Sequence, residues 1–265
     1  MIADVNAQQT PPSRVLVVIP TYNELQNLPI VTGAVQALPA VNGRSIDILV
    51  VDDGSPDGTG ELADRLAAEH GELHVLHRIT KDGLGRAYLA GFAWAIAHDY
   101  DVVVEMDADG SHPPESLPAL LDVLARRPDV GLVIGSRWIP GGRLVDWGAA
   151  RQWLSRGGNR YARTLLQLPV HDCTAGYRAY RTSVLAGIDL DDVHSHGYCF
   201  QIEMTLRVRD ARVPMVEVPI VFRDRIAGTS KMSKSIVAEA MLRVTYWGLL
   251  RALRSARHQF QLRRA

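Results

Sequence analysis

The chain is poor in cysteine, carries no excess of either charge, and contains no long apolar run. Two cysteines among 265 residues, Cys173 and Cys199, cannot build a disulfide framework. A reducing compartment is the simpler expectation, with both thiols filling core space. Twenty-nine basic residues offset twenty-nine acidic ones, a formal net charge of +0, and a nucleic-acid partner is not expected from that balance. Nowhere do apolar residues continue for the ~18 positions a spanning helix needs. The opening MIADVNAQQTPPS lacks the basic and apolar regions of a signal peptide, so residues 1–13 are expected to form a disordered arm. There is no internal repeat and no low-complexity linker. These absences predict a soluble or peripheral protein of the cytoplasm.

What is present is a regular alternation of apolar patterns. With 47% hydrophobic residues, the chain has material for one large domain or a domain plus an appendage. Short β-branched runs at Arg14–Ile19, Ile46–Val51, His74–His77, Asp101–Met106 and Gly131–Ile134 read as buried strands. Helical spacing fills about Glu24–Leu38, Thr59–Glu69 and Gly85–His98 between them. That order predicts an α/β fold with a mostly parallel central sheet. Residues 135 to 200 are expected to be long functional loops with helices between them, followed by a late strand at Val216–Phe222. The expected domain covers residues 14–235. An amphipathic helix over Ile236–Leu253 and a basic tail complete the chain to residue 265.

In parallel sheets, ligands bind beyond the carboxyl ends of strands. Polar clusters follow Ile19, Val51 and Met106 at three such ends. The sharpest is Asp107-Ala108-Asp109, whose two carboxylates can point to one side. Unpaired, they would repel by roughly 3 kcal/mol at ~5 Å and an effective dielectric of ~20. A hard divalent cation, Mg²⁺ or Mn²⁺, relieves that repulsion and can bridge a diphosphate. Asp52-Asp53 would either bind the hydroxyls or amino group of a nucleoside or form a solvated turn with Gly54 and Gly58. Tyr22 and Glu24 would likewise either hold a base or precede the next helix. Arg137, Arg151, Arg156, Arg160 and Arg163 are dense; they form either a solvated helix face or a bidentate phosphate site. The loop Arg225 to Lys231 has the glycine and hydroxyls of a phosphate-contacting segment. His194 and His196 lack a third ligand spaced to complete a zinc site.

The segments VLVVIPTYNELQNLP, ILVVDDGSPDGT, GLGRAYLAGFAWA, VVVEMDADGSHPPE, VIGSRWIPGG, DCTAGYRAYR, GYCFQIEM and RIAGTSKM span about residues 15 to 235. In this order the chain resembles the polyprenol-phosphate mannosyltransferases, inverting glycosyltransferases of GT-A (Rossmann-like) fold. The resemblance implies transfer of mannose from GDP-mannose to a polyprenyl monophosphate. It implies that Pro20, Tyr22, Glu24, Val51 and Asp53 hold the guanosine. Asp107 and Asp109 would bind the metal and diphosphate beside Ala108, with Arg225 and Lys231 near the donor phosphates. Arg137, Arg151 and Ser155 would receive the lipid phosphate, so that Asp109, Arg137 and Arg151 carry the catalysis. Relatives often have a metal-contacting Gln where this chain has Ser111. A phosphate nucleophile is already anionic, so positioning and electrostatics suffice without a strong base. The lipid acceptor implies peripheral contact with the cytoplasmic face of a membrane, with or without a membrane-protein partner; the Ile236–Leu253 helix would either lie in the membrane interface or pack on the domain. The competing readings are another sugar, such as glucose or an aminosugar, and a non-catalytic nucleotide-sugar-binding partner of a membrane protein.

Overall fold

The computed structural model describes residues 14–39, 46–195, 197–224 and 234–262; the expected arm at residues 1–13 lies outside them. The elements in chain order are β1 (Val15–Thr21), α1 (Leu28–Gln36), β2 (Ile46–Asp52), α2 (Thr59–Glu69), β3 (Leu73–His77), α3 (Leu84–Ala97), β4 (Val102–Glu105), α4 (Leu117–Arg126) and β5 (Leu132–Ser136). The second half adds β6 (Arg143–Leu144), α5 (Ala149–Leu166), β7 (Arg178–Arg181), α6 (Thr182–Gly187), α7 (Tyr198–Asp210), β8 (Met215–Pro219), β9 (Val221–Phe222) and α8 (Lys234–Leu262).

Among the described residues, seven strands form one sheet in the order β3-β2-β1-β4-β7-β5-β8, and β6 pairs with β9 beside it. The sheet is parallel except for β7, which runs antiparallel to both β4 and β5. Both faces are covered, which is why the strands read as unbroken apolar runs rather than alternating ones. Leu16 and Val18 of β1 pack with Tyr88 and Phe92 of α3 on one face. Val15, Val17 and Ile19 pack with α1 and α4 on the other. Cys173 and Cys199 are buried and unbridged.

Two expectations need correction. The stretch 135 to 200 holds the expected helices, among them the 18-residue α5, but also the central strand β7, which was not expected. β7 has only the four residues RAYR, too short and too polar for a period to register, yet it is buried by its neighbours. The late strand Val216–Phe222 is two strands. Pro219 has no N–H to extend the ladder, and after Ile220 the chain leaves the large sheet to pair with β6.

Candidate active site

A cavity of about 340 Å³ opens beyond the carboxyl ends of β1, β2 and β4. It runs from Pro20, Tyr22, Glu24 and Asp53, past Asp107, Ala108 and Asp109, to Arg137 and Arg151. Parallel strands deliver their terminal residues to one edge, so residues from three distant segments meet there.

At the first end, the two readings of Asp52-Asp53 divide between the two residues. Asp52 builds a turn: its carboxylate accepts hydrogen bonds from Thr21 Oγ1 (3.0 Å), Ser55 Oγ (2.6 Å) and Ser55 N (3.0 Å). Asp53 lines the cavity and is ion-paired with Arg78. Burial pushes its pKa up, and the Arg78 charge and hydrogen bond only partly offset that. Gly54 sits at φ +70, where an added Cβ would meet the Arg78 carbonyl oxygen at 3.3 Å, so this turn requires glycine. Lys81 lies 3.6 Å from the Tyr22 ring centroid. Glu24 accepts from Asn27 Nδ2 at 2.8 Å and its carbonyl receives the Asn27 and Leu28 N–H groups, so it also shapes the entry to α1. Val51 is different: its side chain is fully buried in β2 and does not line the cavity, leaving only main-chain atoms for a ligand.

Midway, Asp107 and Asp109 both line the cavity. Asp107 Oδ1 accepts from Tyr88 Oη at 2.8 Å, and its backbone N–H donates to His112 Nδ1 at 2.9 Å. Asp109 Oδ1 accepts the Ser111 N–H at 3.0 Å, and Ser111 itself borders the cavity. Among the described residues, no group of three or more His, Cys, Asp and Glu side chains is arranged so as to hold a metal ion by itself. The residues nonetheless fit a cation that also takes phosphate oxygens: two carboxylates face one cavity, and a hard ion keeps open positions for the substrate. Beneath them, Glu105 is fully buried and accepts from Gln201 Nε2 at 2.7 Å. Burial pushes the Glu105 carboxyl up to about 8, against the pull of the Arg178 charge.

At the far end, the dense arginines separate into two groups. Arg137 and Arg151 face the cavity, whereas Arg156, Arg160 and Arg163 are exposed on α5. Arg137 is buried and clamps Asp172 through Nε and Nη2, each at 2.7 Å, and Nη2 also reaches Thr174 Oγ1 at 2.9 Å. Arg151 stacks 3.7 Å from the Trp147 ring centroid and donates to Asp224 at 3.3 Å. Ser155 lies one helical turn beyond Arg151 and lines a second cavity of about 360 Å³ instead of the first. That second cavity is walled by Trp153, Leu154, Tyr161, Ile202, Met241 and Val244, and shares Arg137, Trp147, Arg151 and Thr174 with the first.

Arg225 and Lys231 fall outside the described residues. Sequence reasoning passed over Lys81, His112, Trp147, Thr174 and Gln201, all of which line the first cavity. His112, Thr174 and Gln201 had a signal, their places in the DADGSH, DCTAGYRAYR and GYCFQIEM segments; Lys81 and Trp147 lie in stretches that no motif singled out.

The glycosyl transferase family 2 model matches residues 16–189. The chain is 54% identical over 237 residues to an undecaprenyl-phosphate mannosyltransferase of Micrococcus luteus, covering 89% of this chain and 94% of that protein. It is 54% identical over 249 residues to a polyprenol monophosphomannose synthase of Mycolicibacterium smegmatis, covering 93% and 91%. Among solved structures, it superposes on glucosyl-3-phosphoglycerate synthase of Mycobacterium tuberculosis, crystallised with Mn²⁺, UDP-glucose and phosphoglyceric acid. The TM-score there is 0.63 at 20% identity, over 88% of this chain and 80% of that one. A mannosyltransferase of Pyrobaculum calidifontis in complex with GDP-Man and Mn²⁺ gives 0.55 at 19% identity, over 93% and 67%. At these identities the structural likeness speaks for the fold, which is the GT-A arrangement expected from the sequence.

Proposed function

The chain belongs to glycosyl transferase family 2 and, within it, to the polyprenol-phosphate mannosyltransferases, and from that premise we propose that it transfers mannose from GDP-mannose to a polyprenyl monophosphate, with inversion at the anomeric carbon and release of GDP. The observation that carries the reading is the junction of the two cavities. A cavity bordered by the Asp53, Asp107 and Asp109 carboxylates meets a more strongly apolar one at Arg137, Trp147, Arg151 and Thr174. Such a junction suits an acceptor with an anionic head and a hydrocarbon tail.

The guanosine occupies the Tyr22, Glu24 and Asp53 end, and the diphosphate lies at Asp107 and Asp109. A bound Mg²⁺ or Mn²⁺ supplies neutralisation of the leaving diphosphate. Arg137 and Arg151 neutralise and aim the lipid phosphate, Ser155 adds a hydroxyl to the lining of the apolar cavity, and the first isoprene units enter that cavity. The phosphate oxygen attacks the anomeric carbon from the face opposite the diphosphate, so no protein base is needed.

No described helix is long and apolar enough to cross a membrane. α8 instead exposes Leu242, Tyr246, Leu249 and Leu253 at helical spacing, and Trp153 of α5, which lines the apolar cavity, is 74% exposed. This face rests on the cytoplasmic surface of the membrane, directly or beside a membrane-protein partner, with the lipid entering from it.

Incubation with radiolabelled GDP-mannose, Mn²⁺ and a polyprenyl monophosphate tests the proposal. A mild-acid-labile labelled lipid is expected. Label transfer from UDP-glucose in its place would reassign the sugar, and transfer to free phosphoglycerate would reassign the acceptor.

A further inference from the structure

Asp107 is not a loose carboxylate at a strand end. Its Oδ1 is held by Tyr88 Oη at 2.8 Å. Tyr88 lies on α3, is fully buried, and stacks on Phe200 (centroids 6.1 Å apart, 7° between planes) and Phe92 (6.3 Å, 26°). The helix carrying it is seated through glycines. Gly91 lies against Val18 of β1, and a Cβ on Gly85 would come within 2.9 Å of the Phe200 ring. The phenol therefore cannot follow Asp107 if the carboxylate turns, and the hydrogen bond favours the orientation that keeps Oδ1 on it.

On the other side of Asp107, His112 Nδ1 accepts the Asp107 backbone N–H at 2.9 Å. A nitrogen that accepts carries no proton, so the neutral ring bears its proton on Nε2. That nitrogen stands 3.9 Å from Asp107 Oδ2, beyond a direct hydrogen bond. Oδ1 is thus engaged by a buried donor, while Oδ2 is left with longer-range neighbours. The Asp107 side chain is 25% exposed.

We propose that Tyr88 is the positioning residue that makes Asp107 a one-oxygen ligand and thereby selects a small octahedral cation over Ca²⁺. This rests on the reading of Asp107 and Asp109 as the cation site. With Oδ1 already accepting from Tyr88, Oδ2 would be the less encumbered oxygen offered to an ion. Mg²⁺ and Mn²⁺ accept such single-oxygen ligation, whereas Ca²⁺ favours more oxygens and commonly takes a carboxylate through both. An outer-shell donor that orients a metal ligand is typically worth about 10–100-fold in metal affinity.

The test compares Mn²⁺ and Ca²⁺ affinity, by titration calorimetry in the presence of GDP, for wild type and Tyr88→Phe. The phenylalanine keeps the ring stack, and thermal melting reports whether the fold survives. Mn²⁺ affinity should fall by about 10–100-fold while Ca²⁺ affinity falls far less or rises, so the Mn²⁺/Ca²⁺ ratio drops. A purely structural role would weaken both ions together, and an unchanged ratio overturns the proposal while leaving the cation site standing. If the wild type binds no Mn²⁺ with GDP present, the cation reading itself fails. A second measurement needs no Tyr88 variant. Infrared difference spectra of the wild type on Mn²⁺ addition should show the wide carboxylate splitting of one-oxygen ligation, lost in Asp107→Asn. A narrow, bidentate splitting assigned to Asp107 in this way overturns the proposal.

Discussion

Arg137 and Asp172 hold each other through a two-pronged ion pair, Nε and Nη2 each 2.7 Å from a carboxylate oxygen, reinforced by the Arg137 N–H donating to Oδ2 at 2.9 Å. Asp172 is wholly buried. Burial acts to raise its pKa, but the Arg137 charge and hydrogen bonds outweigh that and hold the carboxyl below its ordinary value. Arg137 is therefore a structural ion as well as a wall of the proposed acceptor site, and much of its charge is already matched. Arg151, only loosely paired with the half-exposed Asp224, has more attraction left for an incoming phosphate.

The two arginines should separate experimentally. Arg137→Ala abandons a buried carboxylate and should cost about 3–5 kcal/mol of stability along with activity, read by urea unfolding. Arg151→Ala should unfold close to wild type, bind GDP-mannose with little change, and lose transfer to lipid phosphate. Equal loss of donor affinity in Arg151→Ala would move that arginine to the donor side.

Asp109→Ala should reduce metal-dependent turnover by more than the about 10–100-fold typical of outer-shell changes. Initial rates across a Mn²⁺ titration are the measurement. A variant that keeps the wild-type rate and metal dependence would remove Asp109 from the cation site.

Glu105 gives a pH prediction with a definite sign. Its folded pKa of about 8 lies above the ordinary 4.5, so the folded protein keeps a proton that the unfolded chain releases. The stabilisation is fully present below pH 4.5 and is lost as pH rises to about 8. Glu105→Gln, which cannot ionise, should lose less stability than wild type between pH 5 and 8 in urea unfolding. Parallel pH profiles for the two proteins would refute a raised Glu105.

Leu242→Glu combined with Leu249→Glu places charge on the exposed face of α8, where both residues are at least 60% exposed. Stability should change little, within about 0.5 kcal/mol per site, while co-sedimentation with liposomes falls. Unchanged liposome binding would remove this face as the membrane contact.

Much of the fold was legible because its signals are local. β1, β2 and β4 are buried on both faces and so carry continuous Val, Ile and Leu; the polar residues that follow them must lie at the sheet's ligand-binding edge. That reasoning reached Tyr22, Asp53, Asp107 and Asp109 without coordinates. It failed at β7, where burial comes from β4 and β5 on either side rather than from the four residues themselves.

The sequence by itself determined the alternation of strand and helix, the chemistry at the strand ends, and the family to which the motifs belong. Those properties depend on neighbours within a few positions, or on segments whose order is read directly. Only the tertiary structure decided which charges meet. Asp172 reaches Arg137 across 35 positions, Gln201 reaches Glu105 across 96, and the apolar cavity exists because α5 lies against α8. Such pairings follow from strand order and helix packing, which a one-dimensional period does not encode. They are what turned a dense run of arginines into one buried clamp, one cavity-facing guanidinium and a solvated helix face.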